Sequence, residues 1–100
     1  MRLFKKSQAH DIQFLATQYG VDEEANKLVR LCSKSDFDNK VYEVPGDLLG
    51  KPKNAFKAVN NNEGWQPINE YDWIVKKGEE LFVVPNNIFK LFFEEVKESS

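Results

Sequence analysis

Gly64-Trp65-Gln66-Pro67-Ile68, Tyr71-Asp72-Trp73-Ile74-Val75, Leu81-Phe82-Val83-Val84-Pro85 and Ile88-Phe89-Lys90-Leu91-Phe92-Phe93 hold most of the large apolar side chains of this 100-residue chain. Their pattern is that of short strands closed by one aromatic helical turn. Trp65–Ile68 and Tyr71–Val75 read as strands, and Lys76-Lys77-Gly78-Glu79 as a hairpin turn into Leu81–Val84. Pro85 removes a donor and ends the ladder. Asn86 suits the N-cap of a helical turn over about 87–93, in which Ile88, Leu91 and Phe92 share a face. Glu94-Glu95-Val96 returns as an edge strand.

The strand at 71–75 carries apolar residues on both sides. Tyr71, Trp73 and Val75 alternate with Asp72 and Ile74, and Leu81 and Val83 with Phe82 and Val84. Such a strand is covered on each face. One cover is the helix predicted below. The other is a second layer, another copy or a partner.

Towards the N-terminus, Asn60-Asn61-Asn62-Glu63-Gly64 marks a turn after a strand at Ala55–Val59, and the segment from Asp47 to Lys53 has no defined period. Val41–Val44 reads as a short strand stopped by the turn dipeptide Pro45-Gly46. Ser33–Lys40 is a polar, Asp-rich loop. In 22–32, Ala25, Leu28, Val29 and Cys32 recur at helical spacing, behind a candidate N-cap Asp22 and two first-turn acids, Glu23 and Glu24. Arg30 and Lys34 fall where cations favour a helix C-terminus. Residues 10–19 alternate as a half-buried strand. The expected fold is a single α+β domain over 1–100: a small, mostly antiparallel sheet with one helix (22–32) packed on one face and a short C-terminal helical turn (87–93).

Composition narrows function by exclusion. Fourteen basic and 16 acidic residues leave a formal charge of −2, too balanced for general nucleic-acid binding. Thirteen per cent aromatics supply a core without cross-links, and Cys32, the only cysteine, excludes an intrachain disulfide. The longest apolar runs are four residues, too short to span a membrane, and the N-terminus has no apolar leader-like run. A cytoplasmic location is expected.

Trp65-Gln66-Pro67-Ile68, Tyr71-Asp72-Trp73-Ile74-Val75, Lys76-Lys77-Gly78-Glu79, Phe82-Val83-Val84-Pro85, Ile88-Phe89 and Phe92-Phe93-Glu94-Glu95-Val96 together resemble a family of small phage and prophage proteins of unknown function. That family has a Gly-Asp-Tyr/Trp-Ile/Val segment, a Gly-Glu hairpin turn, a strand ending near Pro, an Ile/Phe helical turn and a Glu-rich last strand. The likeness covers about residues 64–96. Phe4-Lys5-Lys6 and Asp11–Ala16 resemble the family's Lys-rich start and first strand. Tyr71 stands where the family has Gly, so the turn before Trp73 should be built differently. Pro45–Val59 has no counterpart. The resemblance implies a phage or prophage origin, and hence a host-cell cytoplasm, but transfers no functional residue.

Candidate chemistry is sparse. His10 and Asp11 are adjacent, so on a strand they face opposite ways and make no catalytic pair. Cys32, on an apolar stripe, reads as a core thiol. Asp36, Asp38, Glu43 and Asp47 lack the calcium-loop pattern, because position 40 is Lys and the sharp-turn glycine is missing. Pro45–Lys51 lacks the phosphate-loop spacing, and Pro52 follows Lys51. We therefore expect no catalytic residue, cofactor or metal, and a non-enzymatic accessory protein that binds a host or phage protein, such as a host defence factor, through Trp65, Tyr71, Trp73 and Phe82. Self-association is a further use of the same surface. The alternative is a single-stranded nucleic-acid or nucleotide binder, with Lys51, Lys53 and Lys57 meeting phosphates and Phe56 or Trp65 stacking bases.

Overall fold

The computed structural model describes residues 1–44 and 54–96, and of His10 the backbone alone. Nine strands and two short helices are described: β1 Arg2–Lys6, β2 Ala9–Gln18, α1 Glu23–Leu28, β3 Val29–Lys34, β4 Val41–Glu43, β5 Ala55–Asn61, β6 Gly64–Pro67, β7 Trp73–Lys77, β8 Glu80–Val84, α2 Asn86–Phe92 and β9 Phe93–Glu95. They form two antiparallel sheets, ordered β8-β7-β2-β1-β9 and β4-β3-β5-β6. The described fold is therefore mostly β, not the expected α+β arrangement of one sheet under one helix. The Pro45-Gly46 turn and the unplaced segment up to Lys53 lie outside the described residues.

The correction comes mainly from 22–32. Only Glu23–Leu28 is helical, and at Val29 the backbone turns extended, with φ −82° and ψ 133°. Val29–Ser33 pairs with Val59–Ala55 in register. Two patterns coincide in this stretch. Ala25, Leu28, Val29 and Cys32 fit a helical stripe, yet Val29-Arg30-Leu31 also alternates, and β-branched Val29 favours a strand. Extended, 29–33 pairs with β5 along its whole length, whereas a longer helix would leave β5 unpaired on that side. Arg30, expected at a helix end, instead meets Glu43 of β4 at 3.5 Å. Asp22 does occupy the N-cap position, but its side chain makes no cap bond. It accepts from Arg2 Nη2 at 3.1 Å and from the Gln18 amide at 2.9 Å instead.

Strand β7 organises both cores. Trp73 and Val75 point to one side, joining Phe4, Ala16 and Phe89 under α2. Ile74 points to the other, joining Ala25, Val29, Val59 and Ile68, with Leu81 and Val83 beside them. The two-sided pattern of 71–75 thus has both covers within the chain: α1 and the four-stranded sheet on one side, α2 on the other. Two cores packed on opposite faces of one sheet give an elongated body, 51 Å long and 24 × 23 Å across.

Tight connections follow from residue type. Gly78 is the first central residue of the two-residue β7–β8 loop, at φ +62°, as a II′ hairpin requires. Tyr71 has φ +72°, so the turn before Trp73 keeps a left-handed residue even without glycine. Its amide donates to the Tyr19 carbonyl at 2.9 Å, and its carbonyl accepts from Gln18 Nε2 at 3.1 Å. These bonds hold a conformation that costs a non-glycine residue roughly 1–2 kcal/mol.

Candidate interaction surface

Helix α2 presents to solvent the face that Ile88, Leu91 and Phe92 share. Pro85, not the expected Asn86, holds the N-cap position of α2, and Asn86 is its first residue, with its Oδ1 accepting from Trp73 Nε1 at 2.9 Å. That bond sets the rotation of the helix. Phe89 then points inward, stacked on Trp73 with ring centroids 4.1 Å apart and edge-on to Phe4 at 4.8 Å. Phe93, one turn on, stacks against Phe89 at 4.7 Å. With Phe89 and Phe93 turned in, Ile88, Leu91 and Phe92 turn out, at 43%, 72% and 52% exposure.

These three side chains form an apolar shelf. At its C-terminal end a cleft of about 350 Å³ opens between Phe92, Phe93, Lys6 and Gln8. The Ser7 amide donates to the Phe92 carbonyl at 3.0 Å, which ties the β1–β2 turn to the helix end. The Lys6 ammonium lies 5.7 Å from the centre of the Phe14 ring, and Phe14 is edge-on to Phe93. The shelf presents on the order of 300 Å² of apolar surface, the size at which exposed patches on single chains tend to be functional.

Beside it, Arg2 of β1 locks the sheet. Its guanidinium donates to Asp22 and to Glu95 and stands 5.0 Å over the Trp73 ring. These contacts tie β1 to the residue before α1 and to β9 beside α2.

The residues expected to form an interaction surface do not converge. Trp73 is 6% exposed and belongs to the core beneath α2. Phe82 shares that side of the sheet, opposite Val75 in register, and is partly exposed at the β8 edge. Tyr71 is half-exposed in the turn before β7. Trp65 sits on β6, opposite Asn60 in the other sheet, and is half-buried. The alternative set separates as well. Only Phe56 and Lys57, neighbours on β5, stay together, both bordering one open groove. Lys51 and Lys53 lie outside the described residues. An open groove of about 580 Å³ runs past Tyr19, Leu31, Phe56, Lys57, Ile68 and Glu70, with one lysine and one glutamate on its rim.

Cys32 is fully buried, and burial, reinforced by the Glu43 carboxylate, pushes its thiol above the ordinary value. In the β3–β4 loop, Tyr42 donates to Asp38, which holds the carboxyl below its ordinary range and the phenol above its own. Among the described residues, no group of three or more His, Cys, Asp or Glu side chains is placed to hold a metal ion, and no helix is long and apolar enough to cross a membrane.

Sequence reading missed the shelf because Ile88, Leu91 and Phe92 look like a core face. The signal that could have found it is the excess: five apolar residues within 88–93 are more than a short helix on one sheet can turn inward. No family model, no curated protein and no solved structure matches this chain.

Proposed function

We propose that this chain is a non-enzymatic binding protein that docks a partner protein on the α2 shelf. The single observation behind the reading is the outward stripe Ile88-Leu91-Phe92 on a helix whose rotation is set by Phe89 and the Asn86–Trp73 bond. The fold does not need these side chains for its core, and leaving them in water costs solubility. The resemblance to phage and prophage proteins makes a host protein the natural partner, with a host defence factor one instance.

Paired capture from a host lysate with the wild-type chain and Leu91→Asp tests the reading. A protein recovered in stoichiometric amount by the wild type and lost with the variant is the expected result. Equal recovery with both, or no partner with either, refutes it. Tryptophan fluorescence titrated with single-stranded oligonucleotides at low and high salt tests the nucleic-acid alternative, which requires a salt-dependent change.

A further inference from the structure

Among the described strands, β8 is the sheet edge least protected by its own sequence. β4 and β9 are three residues long, β9 carries Glu94 and Glu95, and β6 ends on Pro67. Short length, charge and proline each discourage a foreign strand from pairing with an edge. β8 has five residues, of which Leu81, Phe82, Val83 and Val84 are uncharged, and it pairs with β7 in one unbroken register.

The ladder decides which backbone groups of β8 are open. Counting from the two-residue loop, Glu80, Phe82 and Val84 bond to β7, so Leu81 and Val83 turn their N–H and C=O away from it. The Val83 amide finds a partner on the other sheet: Gln66 Oε1 of β6 accepts from it at 3.2 Å. The same oxygen accepts from Asn61 Nδ2 at 3.2 Å, which fixes the Gln66 side chain in that place. At the other end of β8, Asn62 of the β5–β6 turn donates to the Glu80 carboxylate at 3.0 Å. The Leu81 amide has no such partner among the described residues. The edges β6 and β8 thus meet through side chains and not through a ladder.

An uncovered β8 is complementary to itself. In an antiparallel pairing of two copies centred on Phe82, Leu81 of each stands opposite Val83 of the other, and the outward groups of both exchange their bonds. The two Phe82 rings then face each other at the closer, non-hydrogen-bonded spacing, and Glu80 falls opposite Val84, so no like charges meet. Gln66 Oε1 stands where the second copy's carbonyl would accept from Val83. We infer that Gln66 guards this edge: by occupying the outward amide of Val83, it keeps two copies of the chain from joining their five-stranded sheets through Leu81–Val83. The inference is independent of the α2 shelf.

Light scattering over a range of concentrations tests it on the full chain, on Gln66→Glu, on Gln66→Leu and on Gln66→Leu/Phe82→Lys, with circular dichroism to confirm that each variant folds. Glutamate keeps an acceptor oxygen, and leucine removes it at similar size. The wild type and Gln66→Glu should stay monomeric, and Gln66→Leu should associate as concentration rises. Adding Phe82→Lys should restore the monomer, because the pairing sets residue 82 of one copy against residue 82 of the other. Amide hydrogen exchange on the wild type needs no variant: the Val83 amide should exchange about tenfold more slowly than that of Leu81. Equal exchange at the two amides would overturn the inference, as would a folded Gln66→Leu that stays monomeric. Association that survives Phe82→Lys would place the contact elsewhere, and a wild-type dimer dispersed by Phe82→Lys would show that Gln66 guards nothing; either result overturns it.

Discussion

Replacing Phe89 by Ala should cost far more stability than replacing Leu91 by Ala, although the two lie on the same two-turn helix. Phe89 is 2% exposed and touches three rings: Trp73, Phe4 and Phe93. Burying a Phe side chain removes about 200 Å² from water, worth roughly 5 kcal/mol at 25 cal/mol per Å². A compact unfolded chain trims that by up to about 40%, to about 3 kcal/mol. Lost ring contacts and the residual cavity add to it, so about 4 kcal/mol is expected, within the range for Phe→Ala in cores. For a domain stable by about 5–15 kcal/mol that is a large fraction. Leu91 keeps most of its surface in water, and Ala is the better helix former, so Leu91→Ala should stay within about 0.5 kcal/mol. Urea unfolding followed by tryptophan fluorescence reads both variants, because Trp73 lies against Phe89. Equal losses, or a larger loss for Leu91→Ala, would show that α2 is rotated and that no outward shelf exists.

The Cys32 thiol should resist alkylation in the native state and react on unfolding. Because its folded pKa is raised, the folded chain holds the thiol proton where the unfolded chain has lost it. Stability should then be fully present below about pH 8.5 and fall as pH rises above it, a slope that Cys32→Ala removes and that denaturant titrations at several pH values measure. Tyr71→Gly should relieve left-handed strain worth about 1 kcal/mol, part of which is offset by the lost ring contacts, so the midpoint should hold or rise. Gly20→Ala should do the opposite, by about 1 kcal/mol or more. Gly20 has φ +86°, and a Cβ there would stand 3.1 Å from Glu70 Cγ. Thermal unfolding of the pair checks both signs.

Much of the C-terminal third is legible without coordinates. The β7–β8 hairpin turn, the stop at Pro85 and the return strand, expected at 94–96 and found at 93–95, each follow from turn chemistry or alternation acting over a few residues. Charge balance and the lone cysteine are compositional, so both are read directly from the sequence. Local rules fail where two patterns fit the same letters. In 22–32 a helical stripe and a strand alternation both claim Val29, and only pairing with β5 breaks the tie. On α2, Ile88, Leu91 and Phe92 compete with Phe89 and Phe93 for the core, and spacing alone cannot rank them. The Trp73 ring and its bond to Asn86 decide it.

The amino-acid order alone thus determines that β7 is apolar on both sides, because alternation is a property of the strand itself. What covers each side, and which helix face is left in water, depends on residues distant in the chain: Val29 and Val59 behind Ile74, Phe4 and Phe89 in front of Trp73. Those contacts form only when the two sheets close on β7, since burial is a gain shared among elements and not written in any one of them. The candidate docking surface is the remainder of that closure, the apolar side chains of α2 for which the core has no room.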